Sequence, residues 1–83
     1  MENEQLKTEI LRKMLRHRWI GGKHTSTENL PKGFPPNLKN QIHDLTKELI
    51  KESYIQHHPT NYGIQVSINP AMIIEIKKRC GLV

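Results

Sequence analysis

Eighty-three residues are enough for one core and one exposed working face but too few for an enclosed active-site cavity; size scaling gives such a chain burial of about 60–65% of its unfolded surface. Thirteen Lys and Arg against eight Asp and Glu leave a net charge of +5 with histidines neutral, which suits a polyanion such as nucleic acid without requiring one. A single cysteine excludes an internal disulfide and no apolar run approaches a membrane span, so the expectation is a single soluble domain over residues 1–83, cytoplasmic and without a membrane partner.

The first helix is predicted over residues 2–18. Leu6, Ile10 and Met14, with Leu11 and Leu15, supply its apolar face, and Lys7, Arg12, Lys13 and Arg16 cover the rest. Glu2, Glu4 and Glu9 come early and the cations late, as the helix dipole favours. Dipole compensation accounts for the basic end without a ligand; the alternative is that Arg16 and Arg18 meet phosphate. The wider window 10–27 has no acid at all, while Arg12, Lys13, Arg16, Arg18 and Lys23 fall in it beside His17 and His24. Trp19, the only tryptophan, reads as core beside Ile20 rather than as a base-stacking platform. Gly21-Gly22 then breaks the helix, and residues 23–25 add a short strand.

Thr25-Ser26-Thr27-Glu28 has the form of a capping box, in which the Thr25 hydroxyl and the Glu28 carboxylate satisfy each other's backbone amides. A short second helix is expected from here, carrying Leu30 inward and limited by Pro31. Gly33-Phe34-Pro35-Pro36 makes a stiff turn, with Phe34 plugging the corner. The central helix follows over residues 36–53, with Pro36 at its first position. Leu38, Ile42, Leu45 and Leu49 form one stripe; Asn40, His43, Lys47 and Lys51 fall opposite, with Lys39 beside them. Such a face suits DNA, and it also suits plain solvent.

Residues 54–68 are expected to form a β-hairpin. Ile64-Gln65-Val66-Ser67-Ile68 alternates at the period of a half-buried strand, and Pro59, Asn61 and Gly63 supply turn chemistry. Asn69 and Pro70 open a last helix over residues 70–80, with Lys77, Lys78 and Arg79 at its dipole end and Gly81 as its stop. Met72, Ile73, Ile74 and Ile76 make it apolar on more than one side, which points to a homodimer through this helix. Cys80 reads as a small packing residue.

Five histidines invite a metal reading, but His57 and His58 are strand neighbours pointing to opposite faces, and no Cys-x-x-Cys or His-x-x-x-His spacing occurs. Neither a serine elbow nor a phosphate-binding glycine loop is present. The expectation is no enzyme, no metal, no cofactor and no small-molecule substrate.

The order of elements, together with LTKELIKESYI running a leucine-rich helix end into a strand, resembles the winged helix-turn-helix family. The segments HTSTENLPKGFPP and PTNYGIQVSINP are also similar to small archaeal proteins of this kind. The resemblance implies an α+β fold with a three-helix core, a C-terminal β-hairpin wing and an extra C-terminal helix (core 6–68, appended helix 70–80). It implies double-stranded DNA as partner and transcription regulation as role, with helix 36–53 in the major groove. Carried over by position, the base-contacting residues are Asn37, Lys39, Asn40 and His43, with Gln41 at the margin. Lys47, Arg16, Arg18, Lys23, Thr25 and Ser26 would meet the backbone, with amides at the start of the second helix holding a phosphate. His57, His58, Thr60, Asn61 and Tyr62 mark the wing. Two departures stand out: Pro31 shortens the second helix, and Ser53 occupies a left-handed position where the family often has glycine, at about 1 kcal/mol. The alternative is a winged-helix adaptor for proteins, or an RNA- or ribosome-associated module.

Overall fold

The computed structural model describes residues 1–83. Helix α1 spans Asn3–His17. The Glu2 carboxylate caps its start by accepting from the Glu4 amide. The end differs from expectation: Arg18, not the glycine pair, terminates it in the left-handed conformation, φ 59°. Its amide donates to Leu15 O while Trp19 N donates to Met14 O, satisfying the last carbonyls.

Strand β1 is Thr25–Ser26. It pairs antiparallel with β3, Gly63–Ile68, which pairs with β2, Ile55–Thr60. The sheet order is therefore β1-β3-β2. Trp19 to Gly21 lock against the end of β3, through Ile68 N to Trp19 O (2.8 Å) and Gly21 N to Ile68 O (3.0 Å). Gly21 sits at φ 61°, where a Cβ would meet Pro70 Cγ at 3.2 Å, so this turn needs glycine on two counts.

The expected capping box does not form. Pairing with Val66 draws Thr25 into the sheet, and Ser26 instead accepts from the Glu28 amide. The second helix is reduced to one 3-10 turn, Thr27–Asn29, and the three-helix core is corrected accordingly. Leu30 still reaches the core, at 1% exposure. Its turn is held from α1: Lys13 Nζ donates to the carbonyls of Asn29 (2.8 Å), Leu30 (3.2 Å) and Lys32.

The central helix opens as a 3-10 turn, Pro36–Leu38, and continues as helix α2, Lys39–Lys51. Ile42, Leu45 and Leu49 are buried, as their spacing predicts, and Leu38 sits at the rim of the core. Ser53 takes the left-handed conformation, φ 68°, and Asn69 Nδ2 steadies it by donating to Ser53 O at 2.9 Å. In the hairpin, Pro59 lies inside β2 rather than in the turn. β2 is an edge strand, where a missing N–H breaks no ladder bond on the open side and discourages another chain from pairing. Only Asn61 and Tyr62 make the connection.

A last 3-10 turn, Pro70–Met72, leads into helix α3, Ile73–Arg79, with Asn69 accepting from Ala71 N. This helix is not appended to the core; it completes it. Ile76 and Cys80 are buried among Leu6, Ile10, Leu11 and Met14, and Ile73 and Met72 pack on the same cluster. Arg79 fastens it to α1 through the Thr8 hydroxyl and the Glu4 carboxylate (3.0 and 2.8 Å). Arg12 donates to Cys80 O at 3.0 Å. Of the apolar positions on α3, Ile74 alone faces solvent broadly, at 65% exposure. The chain is thus an α+β domain of three α-helices on a three-stranded antiparallel sheet. No helix is long and apolar enough to cross a membrane.

Candidate nucleic-acid interface

The outward face of α2 follows from its buried stripe. With Ile42, Leu45, Thr46 and Leu49 inward, helical spacing puts Asn40, Asp44, Lys47 and Lys51 along the opposite row, and all four are exposed. Lys47 and Lys51 have no carboxylate partner. Asp44 was not among the expected site residues. Its carboxylate sits one turn from Asn40 and interrupts what would otherwise be a row of amide and cations.

The two flanks of this row behave differently. On one side Lys39 Nζ and His43 Nε2 each lie 3.9 Å from the Glu28 carboxylate, contributed by the 3-10 turn. These are open, long contacts between groups that water reaches, worth little and easily exchanged for phosphate. On the other side Gln41 is engaged: its Nε2 donates to Asn3 Oδ1 at 2.7 Å and Met1 O at 3.3 Å. Asn37 is exposed in the turn before the helix.

The expected backbone contacts divide the same way. Arg16, Arg18 and Lys23 are exposed and carry no ion pair. Thr25 is buried at 7% exposure, and its hydroxyl accepts from Asn29 Nδ2 at 2.8 Å. Ser26 Oγ is taken by the Glu28 amide at 3.2 Å. The amide nest expected at the start of a second helix is absent, because a three-residue turn with Glu28 in it provides neither the aligned amides nor the dipole.

In the hairpin, His57 is exposed and His58 half-buried, on opposite faces as strand neighbours must be. His58 Nε2 lies 3.1 Å from Ser67 Oγ, whose own hydroxyl donates to Gly21 O at 2.7 Å. Ser67 is fully buried by these contacts. His24 stands against His58 with ring centroids 5.0 Å apart, and its Nδ1 lies 3.2 Å from Gln65 Oε1. At the tip, Thr60 Oγ1 donates to Gly63 O and accepts from Tyr62 N. Thr60 therefore holds the turn, while Asn61 and Tyr62 are presented, Tyr62 at 95% exposure.

Two lysines on α1 are buried and serve the fold. Lys7 is buried among Glu4, Glu48 and Glu52 at 3.5, 3.1 and 3.1 Å. Burial alone would lower its pKa, but hydrogen bonds to Glu48 and Glu52 and the charges of Glu52 and Glu4 outweigh this and raise it above the ordinary 10.5. Lys13 has no carboxylate: burial, then Arg16 and Lys32, push its pKa down. Its ammonium also lies 5.6 Å from the centre of the Phe34 ring. Burial pushes the Cys80 thiol up, with Arg12 opposing, which disfavours the thiolate.

A scan of protein-family models and searches of curated proteins and of solved structures return no match to this chain.

Proposed function

We propose that this chain binds double-stranded DNA as a small winged helix-turn-helix protein, presenting α2 to the major groove and the β2–β3 hairpin as the wing, in a transcription-regulating role. The supporting element order is α1, β1, a short turn, α2, β2, β3, with β1 on the far side of β3 from β2. The observation that carries the reading is the open outer row of α2, where Asn40, Lys47 and Lys51 are exposed and make no side-chain hydrogen bond or ion pair within the protein, with Asp44 the one acid among them. Asn37, Asn40 and Lys39 are the base-reading candidates nearest the start of the helix, and Asn pairs bidentately with adenine. Lys47 and Lys51 are placed for phosphate, with Asn61 and Tyr62 at the wing tip. Gln41, Thr25, Ser26 and Thr60 hold the fold, so they position the surface rather than touch the duplex.

Gel shifts with duplex DNA, single strands and structured RNA over a salt series test this reading. Duplex preference with a steep salt response supports it; no duplex binding at low salt sinks it. Preference for structured RNA would instead establish the RNA-associated alternative.

A second reading, a protein-interaction module, draws on a shallow cleft between α1 and α3. Leu15, Ile20 and Leu82 give it an apolar floor, with Arg12, Arg16, Arg18 and Lys77 around it. The homodimer reading rests on Ile74, with Leu82 and Val83 also exposed.

A further inference from the structure

We propose that the cleft between the end of α1 and the loop 31–34 binds an unpaired nucleotide, its base stacked on His17 and its phosphate held between Arg16 and Lys32. The cleft, about 520 Å³, is in the size range of small-ligand sites. Its near wall is an aromatic stack: His17 lies on Trp19 with ring centroids 4.4 Å apart and planes 10° from parallel. His17 is exposed, Trp19 is half-buried against the core, and both line the cleft, which offers a ring backed by the fold to a third ring. Base-on-aromatic stacking accepts any base, because every base has a π-face.

The far wall is Phe34 and Lys32, fixed to α1 through the buried Lys13 ammonium on the carbonyls of the 29–32 segment. Arg16 and Lys32 are exposed cations without carboxylate partners, one on each side. The cleft's one acid, Glu9, is already paired with Arg12. A planar ring that carries an anion fits this chemistry; a planar cation or an acidic side chain without a ring uses half of it. The inference does not need the duplex reading, although the loop's other side faces Lys39 and adjoins the α2 surface.

Trp19, the sole tryptophan, reports on this site directly. Its fluorescence in the full chain is followed while adding AMP, a single-stranded oligoadenylate, adenosine and inorganic phosphate. Saturable change is expected with AMP and the oligoadenylate, weaker binding with adenosine, and competition without optical change from phosphate. His17→Ala is expected to weaken AMP at least about fivefold, the low end of what stacking one base is worth. The double variant Arg16→Ala/Lys32→Ala is expected to weaken it about tenfold without lowered melting, because both side chains are exposed and their charges only oppose the buried Lys13. A much tighter oligoadenylate identifies a strand path, and equal affinities identify a free nucleotide; either upholds the site. No saturable response to AMP or oligoadenylate overturns it, even if duplex DNA binds, as does full AMP affinity in the double variant.

Discussion

Helices α1 and α2 look alike on a charge count, yet they use their lysines in opposite ways. On α1, Lys7 and Lys13 are buried, one closed in by three carboxylates and one holding the carbonyls of the turn that follows β1. On α2, Lys47 and Lys51 stand in water with no protein partner, and Lys39 has a single long contact. A cation that neutralises its own fold is withdrawn from any partner, so the net charge of +5 overstates what α1 offers and leaves α2's share intact. What matters for binding is the charge left unspent.

The contrast breaks most sharply at Lys13. Lys13→Ala removes the donor from three carbonyls and the stem that packs beside Phe34, so unfolding free energy should drop by about 2–3 kcal/mol. Chemical denaturation measures this, and any DNA affinity per folded molecule should stay unchanged.

Lys7→Met should cost less, about 1–2 kcal/mol, because the carboxylates it leaves behind are themselves solvated. Its pH dependence is the sharper readout. The folded pKa of Lys7 is raised, so its contribution is fully present below 10.5 and is lost as pH rises through the higher folded value. Lys13 has the opposite sign: its folded pKa is lowered, so the penalty of charging it in the fold is relieved as pH climbs toward 10.5. Melting curves across alkaline pH should therefore show Lys7→Met losing stability less steeply than the parent and Lys13→Met more steeply. Identical pH slopes would place both ammoniums in ordinary solvent.

Ser53→Gly relieves a left-handed non-glycine residue and should stabilise by about 0.5–1 kcal/mol in thermal melts. On the homodimer reading, Ile74→Glu should leave stability within about 0.5 kcal/mol of the parent and abolish any dimer seen by sedimentation. A dimer unaffected by it would not use α3's open face. Cutting the chain after Asn69 does not serve here, since Ile76 and Cys80 belong to the core.

Much of this architecture was legible where local and tertiary demands agree. The stripe Ile42, Leu45, Leu49 fixed the inner face of α2, and the Asn69-Pro70 start was written in capping chemistry. Reading failed where a distant segment claimed a residue first. Thr25 has the side chain for a cap, but β3 takes its backbone into the sheet. The alternation of β3 promised Ile64 buried and Ser67 exposed; Val66 and Ile68 keep to it, but Ile64 is open because the core ends before the hairpin tip, and Ser67 is buried because Gly21 and His58 cover the other face. Lys7 and Lys13 sit at solvent-like positions in a one-helix reading, and only their partners on α2 and the loop reveal burial. In the candidate interface, Lys39 and Asn40 could be placed from spacing, whereas Glu28's approach to Lys39 and His43, and Gln41's capture by Asn3, depend on packing between elements. Asp44 lies at the helical interval from Asn40, so its place in the outer row is legible from spacing alone.

Salt-dependent affinity for a duplex, measured side by side for the parent and for Lys47→Ala/Lys51→Ala, bears most directly on the role of α2. With about five phosphates neutralised, the parent's log–log slope should be roughly −4.5, and the double variant should flatten it by about 2 while melting as the parent does. A parent with no duplex affinity at low salt, or a variant with the parent's slope, would contradict the assignment of α2's outer row to DNA.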